Sequence, residues 1–137
     1  MRKINDGTPD KISVWAGNTT KSFEGFSEYF EGLEDPDSDC GIHRDFGCKF
    51  IDTDFFVSYM TAERRIVPIE ELCTEVGCNS LETERAIVER CREIGLHEGN
   101  VICYYGNATF TESDPDYRYN DMVFIGTFDD PRKRKTR

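Results

Sequence analysis

Two aspartates separated by a single residue are the first side chains in this 137-residue chain that suggest chemistry. Asp52 and Asp54 flank Thr53, and paired carboxylates can serve as general acid and base or hold a divalent cation. His43 and His97 would be the available general bases. These residues permit the hypothesis of a small hydrolase. The same Asp-x-Asp spacing is also typical of a helix cap or a polar loop, which is the interpretation we favour.

The segment His43-Arg44-Asp45-Phe46-Gly47 combines the His-Arg-Asp and Asp-Phe-Gly motifs of protein kinases. A kinase needs a separate aspartate in each motif, whereas here both motifs share Asp45. No glycine-rich loop or lysine-bearing strand precedes the segment. We therefore interpret the overlap as coincidence.

The six cysteines do not form the pattern of a zinc site or a disulfide framework. No pair has Cys-x-x-Cys spacing, and only His43 and His97 could complete a zinc site. We predict reduced cysteines that pack as small hydrophobic side chains, no metal and no cofactor. The pairs Cys40/Cys48 and Cys73/Cys78 could oxidise, but the sequence gives no positive support for either.

The chain is acidic, with a formal net charge of −10. Five of its 17 basic residues lie in the last six positions, so residues 1–131 carry 12 basic against 27 acidic side chains. Such a surface repels nucleic acid and anionic lipid and attracts basic proteins. We therefore expect a basic protein partner and exclude nucleic acid and membranes.

No apolar run approaches the roughly 20 residues of a membrane helix, and the first residues lack the apolar stretch of a signal peptide. The composition thus predicts a cytoplasmic protein. It does not indicate an oligomeric state.

Alternating residues predict a strand over 11–16, with Ile12, Val14 and Ala16 on one face and Trp15 on the other. We expect Trp15 to be a packing anchor whose indole N–H finds one acceptor. Phe23, Phe26, Phe30 and Leu33 then follow at helical spacing, after an N-cap at Thr20 or Ser22.

The middle of the chain is less regular. Phe46, Cys48 and Phe50 alternate like a short strand, and residues 55–60 fit either a short helix or a buried strand. Pro68 is expected to begin a helix that ends at Gly77.

The second half contains the clearest helix, with Asn79 as N-cap, Glu82 completing a capping box and Gly95 at the end. Two β-rich segments follow, at 100–105 and 122–128, and a hairpin with a long polar loop is their simplest connection.

This order of elements predicts an α+β fold: one antiparallel sheet of about three to five strands with helices packed on it. We divide the chain into an N-terminal extension (1–10), a single α+β domain (11–130) and a basic, disordered tail (131–137).

Three motifs in this order resemble the immunity protein 22 family of bacterial polymorphic toxin systems. They are a strand that ends in Trp-x-Gly, an Asp-Phe-Gly that leads into Asp-x-Asp-Phe, and a closing strand with Phe-Ile-Gly-Thr. Together they span roughly residues 11–130. The motif residues, expected to be structural, are Trp15, Gly17, Asp45, Phe46, Gly47, Asp52, Asp54, Phe55 and Gly126.

The resemblance implies a non-catalytic protein that binds and neutralises a cognate toxin. Charge alone suggests that the toxin is basic, for example a nuclease. From charge clustering and interleaved aromatic residues we expect partner contacts at Glu24, Glu28, Glu31, Asp35, Asp37, Asp39, Glu112, Asp114, Asp116, Tyr117 and Tyr119. The alternatives are a regulatory or scaffold domain without a toxin partner, and the hydrolase that would use Asp52, Asp54 and a histidine.

Overall fold

A strand that is buried on both faces organises the fold. The computed structural model describes residues 2–132. Along the chain, the elements are β1 (Ile4–Asp6), β2 (Lys11–Gly17), α1 (Phe23–Glu28), α2 (Gly41–Phe46), β3 (Phe56–Met60), β4 (Val67–Pro68), α3 (Ile69–Leu72), α4 (Leu81–Glu93), β5 (Glu98–Gly99), β6 (Val101–Gly106), β7 (Ala108–Phe110) and β8 (Met122–Asp129).

The central sheet has four antiparallel strands in the order β3-β6-β2-β8. Two small antiparallel sheets, β1-β7 and β4-β5, flank it. The predicted α+β class and antiparallel sheet are confirmed. The predicted tail 131–137 lies outside the described residues from position 133 onward.

The two faces of β2 belong to two separate cores. Ile12, Val14 and Ala16 pack with residues of α3 and α4, whereas Trp15 packs with residues of α1, α2 and β7. This is the division that the alternating pattern predicts, because successive strand side chains point to opposite faces. Helices therefore cover the sheet on both sides, and β2 lies between the two layers.

Trp15 is fully buried at the centre of an aromatic cluster. Its ring stacks on Phe46 with centroids 4.9 Å apart, and it contacts Phe110 and Phe124 at 5.1 and 5.4 Å. The prediction that the indole N–H finds an acceptor is wrong, since Nε1 has no hydrogen-bond partner within residues 2–132. Aromatic rings occupy the space around the indole, and their packing offsets the cost of burying an unpaired donor.

A β-bulge in β8 lets this strand contribute side chains to both cores. Val14 is opposite Gly126 and Trp15 is opposite Phe124, so Ile125 has no partner in the register. The extra residue shifts the alternation. As a result Phe124 packs against Trp15, while Ile125 is buried in the core on the opposite face.

The predicted hairpin between the last two long strands is wrong. β6 and β8 do not pair with each other; they lie on either side of β2. A buried strand needs hydrogen-bond partners along both edges, and a β6-β8 hairpin would leave one edge of β2 unpaired. β7 pairs with β1 instead, which draws residues 4–6 of the predicted N-terminal extension into the fold and buries Ile4.

The alternating residues Phe46, Cys48 and Phe50 do not form a strand, and this prediction is wrong. Residues 41–46 form α2 instead, because Ile42 and Phe46 are four residues apart and lie together on its buried face. Gly47 ends this helix in the left-handed conformation, with φ 69°, which glycine adopts without strain. Residues 56–60 form a strand, which resolves the alternative that the sequence left open.

The two main helix caps differ in how well the sequence located them. Ser22 caps α1 by accepting a hydrogen bond from the N–H of Gly25, as one of the two predicted caps. Asn79 does not cap α4. Ser80 does, because the Asn79 side chain instead donates to the carbonyl of Asp130.

Gly17→Ala tests why the first motif ends in glycine. A Cβ at Gly17 would lie 2.2 Å from the backbone oxygen of Asp121. Because this neighbour is backbone and cannot rotate away, we expect the free energy of unfolding to fall by about 2 kcal/mol or more, as measured by urea denaturation.

Gly106→Ala is the matched control. A Cβ at Gly106 meets only ordinary contacts, the nearest 3.7 Å away. Its unfolding free energy should stay within about 1 kcal/mol of the parent value. Equal stability of the two variants would contradict this account of Gly17.

Candidate functional site

Asp52 and Asp54 belong to the turn that leads into β3. The Asp52 carboxylate accepts a hydrogen bond from the N–H of Asp54 at 2.9 Å, and its backbone carbonyl accepts from Phe55 and Phe56. The Asp52 N–H donates to the hydroxyl oxygen of Tyr105. The pair thus has the polar-loop role that the sequence favoured.

The two histidines are not brought to these aspartates. His43 is buried and its Nε2 lies 2.8 Å from the carbonyl oxygen of Leu33. His97 precedes β6, whereas Asp52 is bonded to Tyr105 near the end of that strand. The part of β6 between Val101 and Tyr105, about 14 Å long, therefore separates His97 from Asp52.

The pocket nearest Asp52 does not offer a catalytic set either. It has a volume of about 260 Å³ and is lined by Asp6, Asp52, Phe55 and Tyr105 together with residues 7, 106 and 107, without a histidine, cysteine or lysine. Within residues 2–132, no group of three or more His, Cys, Asp or Glu side chains is arranged to hold a metal ion. The hydrolase hypothesis has no support in this arrangement.

The cysteines are packing residues. All six are free thiols, and all but Cys78 are buried. Burial raises the pKa of the Cys103 thiol well above its ordinary value, which keeps it protonated and unreactive.

A run of acidic residues lies on the side of the sheet that carries α1 and α2. Residues 22–43 contain seven carboxylates and no lysine or arginine. Six of the predicted contact residues lie here and are exposed: Glu24, Glu28, Glu31, Asp35, Asp37 and Asp39. Asp39 forms a salt bridge with Arg44 at 3.5 Å, while the other five have no salt bridge within the described residues.

Asp45 connects this segment to the second acidic loop. The hydroxyl of Tyr29, at the end of α1, donates to Asp45 Oδ2 at 2.5 Å. The hydroxyl of Tyr117, in the loop between β7 and β8, donates to Asp45 Oδ1 at 2.6 Å. One half-buried carboxylate thus joins α1, α2 and the later loop.

The segments that carry the three groups of acidic residues are therefore linked through Asp45. We call the exposed members the acidic surface: Glu24, Glu28, Glu31, Asp35, Asp37, Asp39, Asp114 and Asp116, with Tyr117 among them. The tyrosine has 38% of its surface exposed.

Two predicted contact residues lie beneath this surface. Tyr119 is 1% exposed, and it donates to the Glu112 carboxylate, whose side chain is 7% exposed. Lys3 lies 3.9 Å from that carboxylate and 4.8 Å from the centre of the Tyr117 ring. Tyr119, Glu112 and Lys3 therefore support the loop from below.

The acidic loops hold their own shape. The N–H of Asp37 donates to the Asp35 carboxylate at 2.9 Å, and the N–H of Asp116 donates to that of Asp114 at 3.1 Å. Such turns occupy one carboxylate oxygen and leave the other exposed. Hydrogen bonds within each loop therefore fix its shape.

Sequence reasoning missed Tyr29. It lies between Glu28 and Phe30, off the predicted apolar face, and its partner Asp45 is 16 residues away. The sequence did contain one signal of this contact, the glycine at position 41. A Cβ there would lie 2.5 Å from the Tyr29 ring, so the start of α2 can approach this ring closely only because residue 41 is glycine.

Comparison with known families identifies the chain. Residues 12–129 match the family described as Immunity protein 22. This chain belongs to the Immunity protein 22 family. Comparison with curated proteins and with solved structures gave no match.

In this Immunity protein 22 family member, most of the residues that carry the resemblance have clear structural roles. Trp15 and Phe46 stack in the core, Gly17 admits the backbone of Asp121, and Gly126 is adjacent to the bulge. Asp45 differs from them, because it joins the elements of the acidic surface. None of the helices in the described part of the chain is long and apolar enough to span a bilayer.

Asp45→Asn tests this junction. The hydrogen bond to Asp45 raises the pKa of Tyr117, and burial followed by the same carboxylate raises that of Tyr29. Without the negative charge, we expect the pKa of Tyr117 to fall toward its ordinary value of about 10, as followed by the ultraviolet absorbance of the phenolate. The free energy of unfolding at neutral pH should fall by about 1–2 kcal/mol.

The sign of the pH dependence follows from these raised values. A phenol with a higher pKa in the folded state contributes stability that is complete below pH of about 10 and is lost as pH rises through the folded-state pKa. Asp45→Asn should therefore reduce the loss of stability above pH 10. Glu31→Gln, an exposed neutralisation on the same surface, is the control and should leave the tyrosine titration unchanged; an identical effect of both variants would rule out a specific junction.

Proposed function

We propose that this protein binds and neutralises a cognate toxin in the cytoplasm of a bacterium, by covering the toxin surface and without chemistry of its own. Family membership carries the proposal, because the matched description is that of an immunity protein over residues 12–129. Asp52 and Asp54 lie in a turn, His43 is buried in the core, and His97 lies at the other end of β6 from them. This separation of the residues suggested for hydrolysis favours an inhibitor that acts by binding.

The acidic surface is the proposed binding face. It concentrates exposed carboxylates, most of which have no salt bridge within residues 2–132 to neutralise them. Charged groups of one sign accelerate the encounter with a partner of the opposite sign and disfavour other partners. Tyr117 supplies an exposed aromatic ring among these charges, the kind of residue that often contributes most of the binding energy.

The charge of this face suggests the chemistry of the partner. A basic toxin surface complements it, and a nuclease is the class whose active surface is normally basic because it receives phosphates. We therefore propose a nuclease toxin, in which the acidic surface occupies the path of the nucleic acid backbone.

Co-expression with the product of the adjacent gene tests the main proposal. We expect a toxic neighbour, growth rescue by this protein and co-purification of the two. A toxic neighbour that this protein neither binds nor rescues would refute toxin neutralisation. A non-toxic neighbour that binds would instead support a regulatory or scaffold domain.

Charge reversal locates the binding face. The triple variant Glu28→Lys, Glu31→Lys and Asp116→Lys should reduce the association rate about tenfold or more at low salt, measured by stopped-flow or surface plasmon resonance. The rate of the parent protein should itself fall as salt increases, since salt screens exposed charges.

The matched control changes net charge equally on the helices of the opposite face. Glu71→Lys, Glu82→Lys and Glu89→Lys replace exposed residues without salt bridges in the part of the chain described. This triple variant should alter the rate only about twofold, through net charge. Equal slowing by both triple variants would contradict a specific acidic surface.

A further inference from the structure

The two edge strands of the central sheet, β8 and β3, differ in whether side chains cover their outer backbone groups. At the β8 edge, α4 provides side-chain donors: Thr83 Oγ1 donates to the carbonyl of Asp129 at 2.9 Å and Arg90 Nε to that of Ile125 at 3.4 Å. The bulge at Ile125 also bends this edge. Such features prevent a sheet edge from pairing with another chain.

The β3 edge has none of this protection within the described residues. β3 pairs only with β6. Phe55 accepts from the N–H of Gly106 and Thr61 donates to the carbonyl of Asn100, both at 2.9 Å, so the odd-numbered residues direct their backbone groups toward β6. The backbone groups of Ser58 and Met60 consequently point away from the sheet.

The sequence of β3 also lacks the residues that usually protect an edge. Phe56–Met60 reads Phe-Val-Ser-Tyr-Met, without a charge or a proline, in a chain of which 32% is charged. Val57 and the preceding Phe55 are 41% and 40% exposed. An uncharged edge strand with exposed apolar side chains is a template for strand addition.

We propose that a second copy of this chain occupies the edge, through antiparallel pairing of β3 with β3 about a two-fold axis at Ser58. Ser58 then lies opposite Ser58 of the second copy, Phe56 opposite Met60, and Val57 opposite Tyr59. The N–H groups of Ser58 and Met60 donate to the carbonyls of Ser58 and Phe56 across the axis. Two four-stranded sheets become one continuous sheet of eight strands.

The charge of the strand favours a second copy over a basic partner. A two-fold axis brings each residue near itself, so a charged strand would repel its copy, whereas β3 contributes no charge. A basic segment would find no carboxylate on β3 itself to complement it. The pairing also uses none of the residues of the acidic surface, so it is compatible with toxin binding there.

The proposed β3-β3 interface is small, and its area determines the affinity that we expect. Five paired residues span about 17 Å, and such an edge buries much less than the roughly 1,600 Å² of a typical stable interface. We therefore expect a reversible dimer with a dissociation constant on the order of 10–1,000 µM.

Sedimentation equilibrium of the full chain tests the proposal. The weight-average mass should rise with concentration from 15.8 kDa toward twice that value. Ser58→Lys places two like charges directly opposite each other, about 5 Å apart, and should hold the mass at that of the monomer. Ser58→Thr, which is neutral and β-branched, should retain the dimer.

A charge-complementation experiment separates pairing from misfolding. Ser58→Lys and Ser58→Glu should each be monomeric alone, whereas their equimolar mixture should regain the mass of a dimer. A parent chain that stays monomeric at the highest concentration would overturn the proposal, as would a mixture that remains monomeric. Loss of toxin binding by monomeric Ser58→Lys would overturn it as well, by assigning the edge to the toxin.

Discussion

The burial of β2 on both faces and along both edges is the constraint on which the rest of the structure depends. A strand in this position needs apolar side chains on each side and a hydrogen-bonded neighbour at each edge, and β6 and β8 provide the neighbours. Trp15 fixes the core on the α1 and α2 side, while Ile12, Val14 and Ala16 fix the core under α3 and α4. The bulge in β8 and the close approach at Gly17 are local adjustments that let both cores close around one strand.

The acidic surface follows from this arrangement. Phe46 stacks on Trp15, which fixes α2 and therefore places Asp45, one residue earlier, at the edge of the core. From there its carboxylate receives the hydroxyls of Tyr29 and Tyr117 and connects two loops that would otherwise repel each other. For the proposed function, this means that a face ordered in advance loses less conformational entropy when the toxin binds, which is how a rigid inhibitor gains affinity.

The two proposed contacts, with a toxin and with a second copy of the chain, need different surfaces. Here charge is concentrated on the face that carries α1 and α2, and it is absent from β3 at the sheet edge. Exposed charge favours fast encounter with a basic partner, whereas an uncharged edge favours backbone pairing with a copy of itself. The two proposed contacts are compatible because they use separate residues.

The sequence by itself determined the features that depend on local pattern: the α+β class, the faces of β2 and the excess of acidic residues. It narrowed the cap of α1 to Thr20 or Ser22, and the structure selected Ser22. It also determined the family, because the order of the motifs is a property of the chain. Only the tertiary structure decided that β2 separates β6 from β8, that residues 41–46 are helical, and that Tyr119 and Glu112 lie beneath the surface. These outcomes depend on contacts between residues far apart in the chain, such as Tyr117 and Asp45, 72 positions apart. Hydrophobic periodicity describes which side of an element is buried, but it carries no information about which other element covers that side.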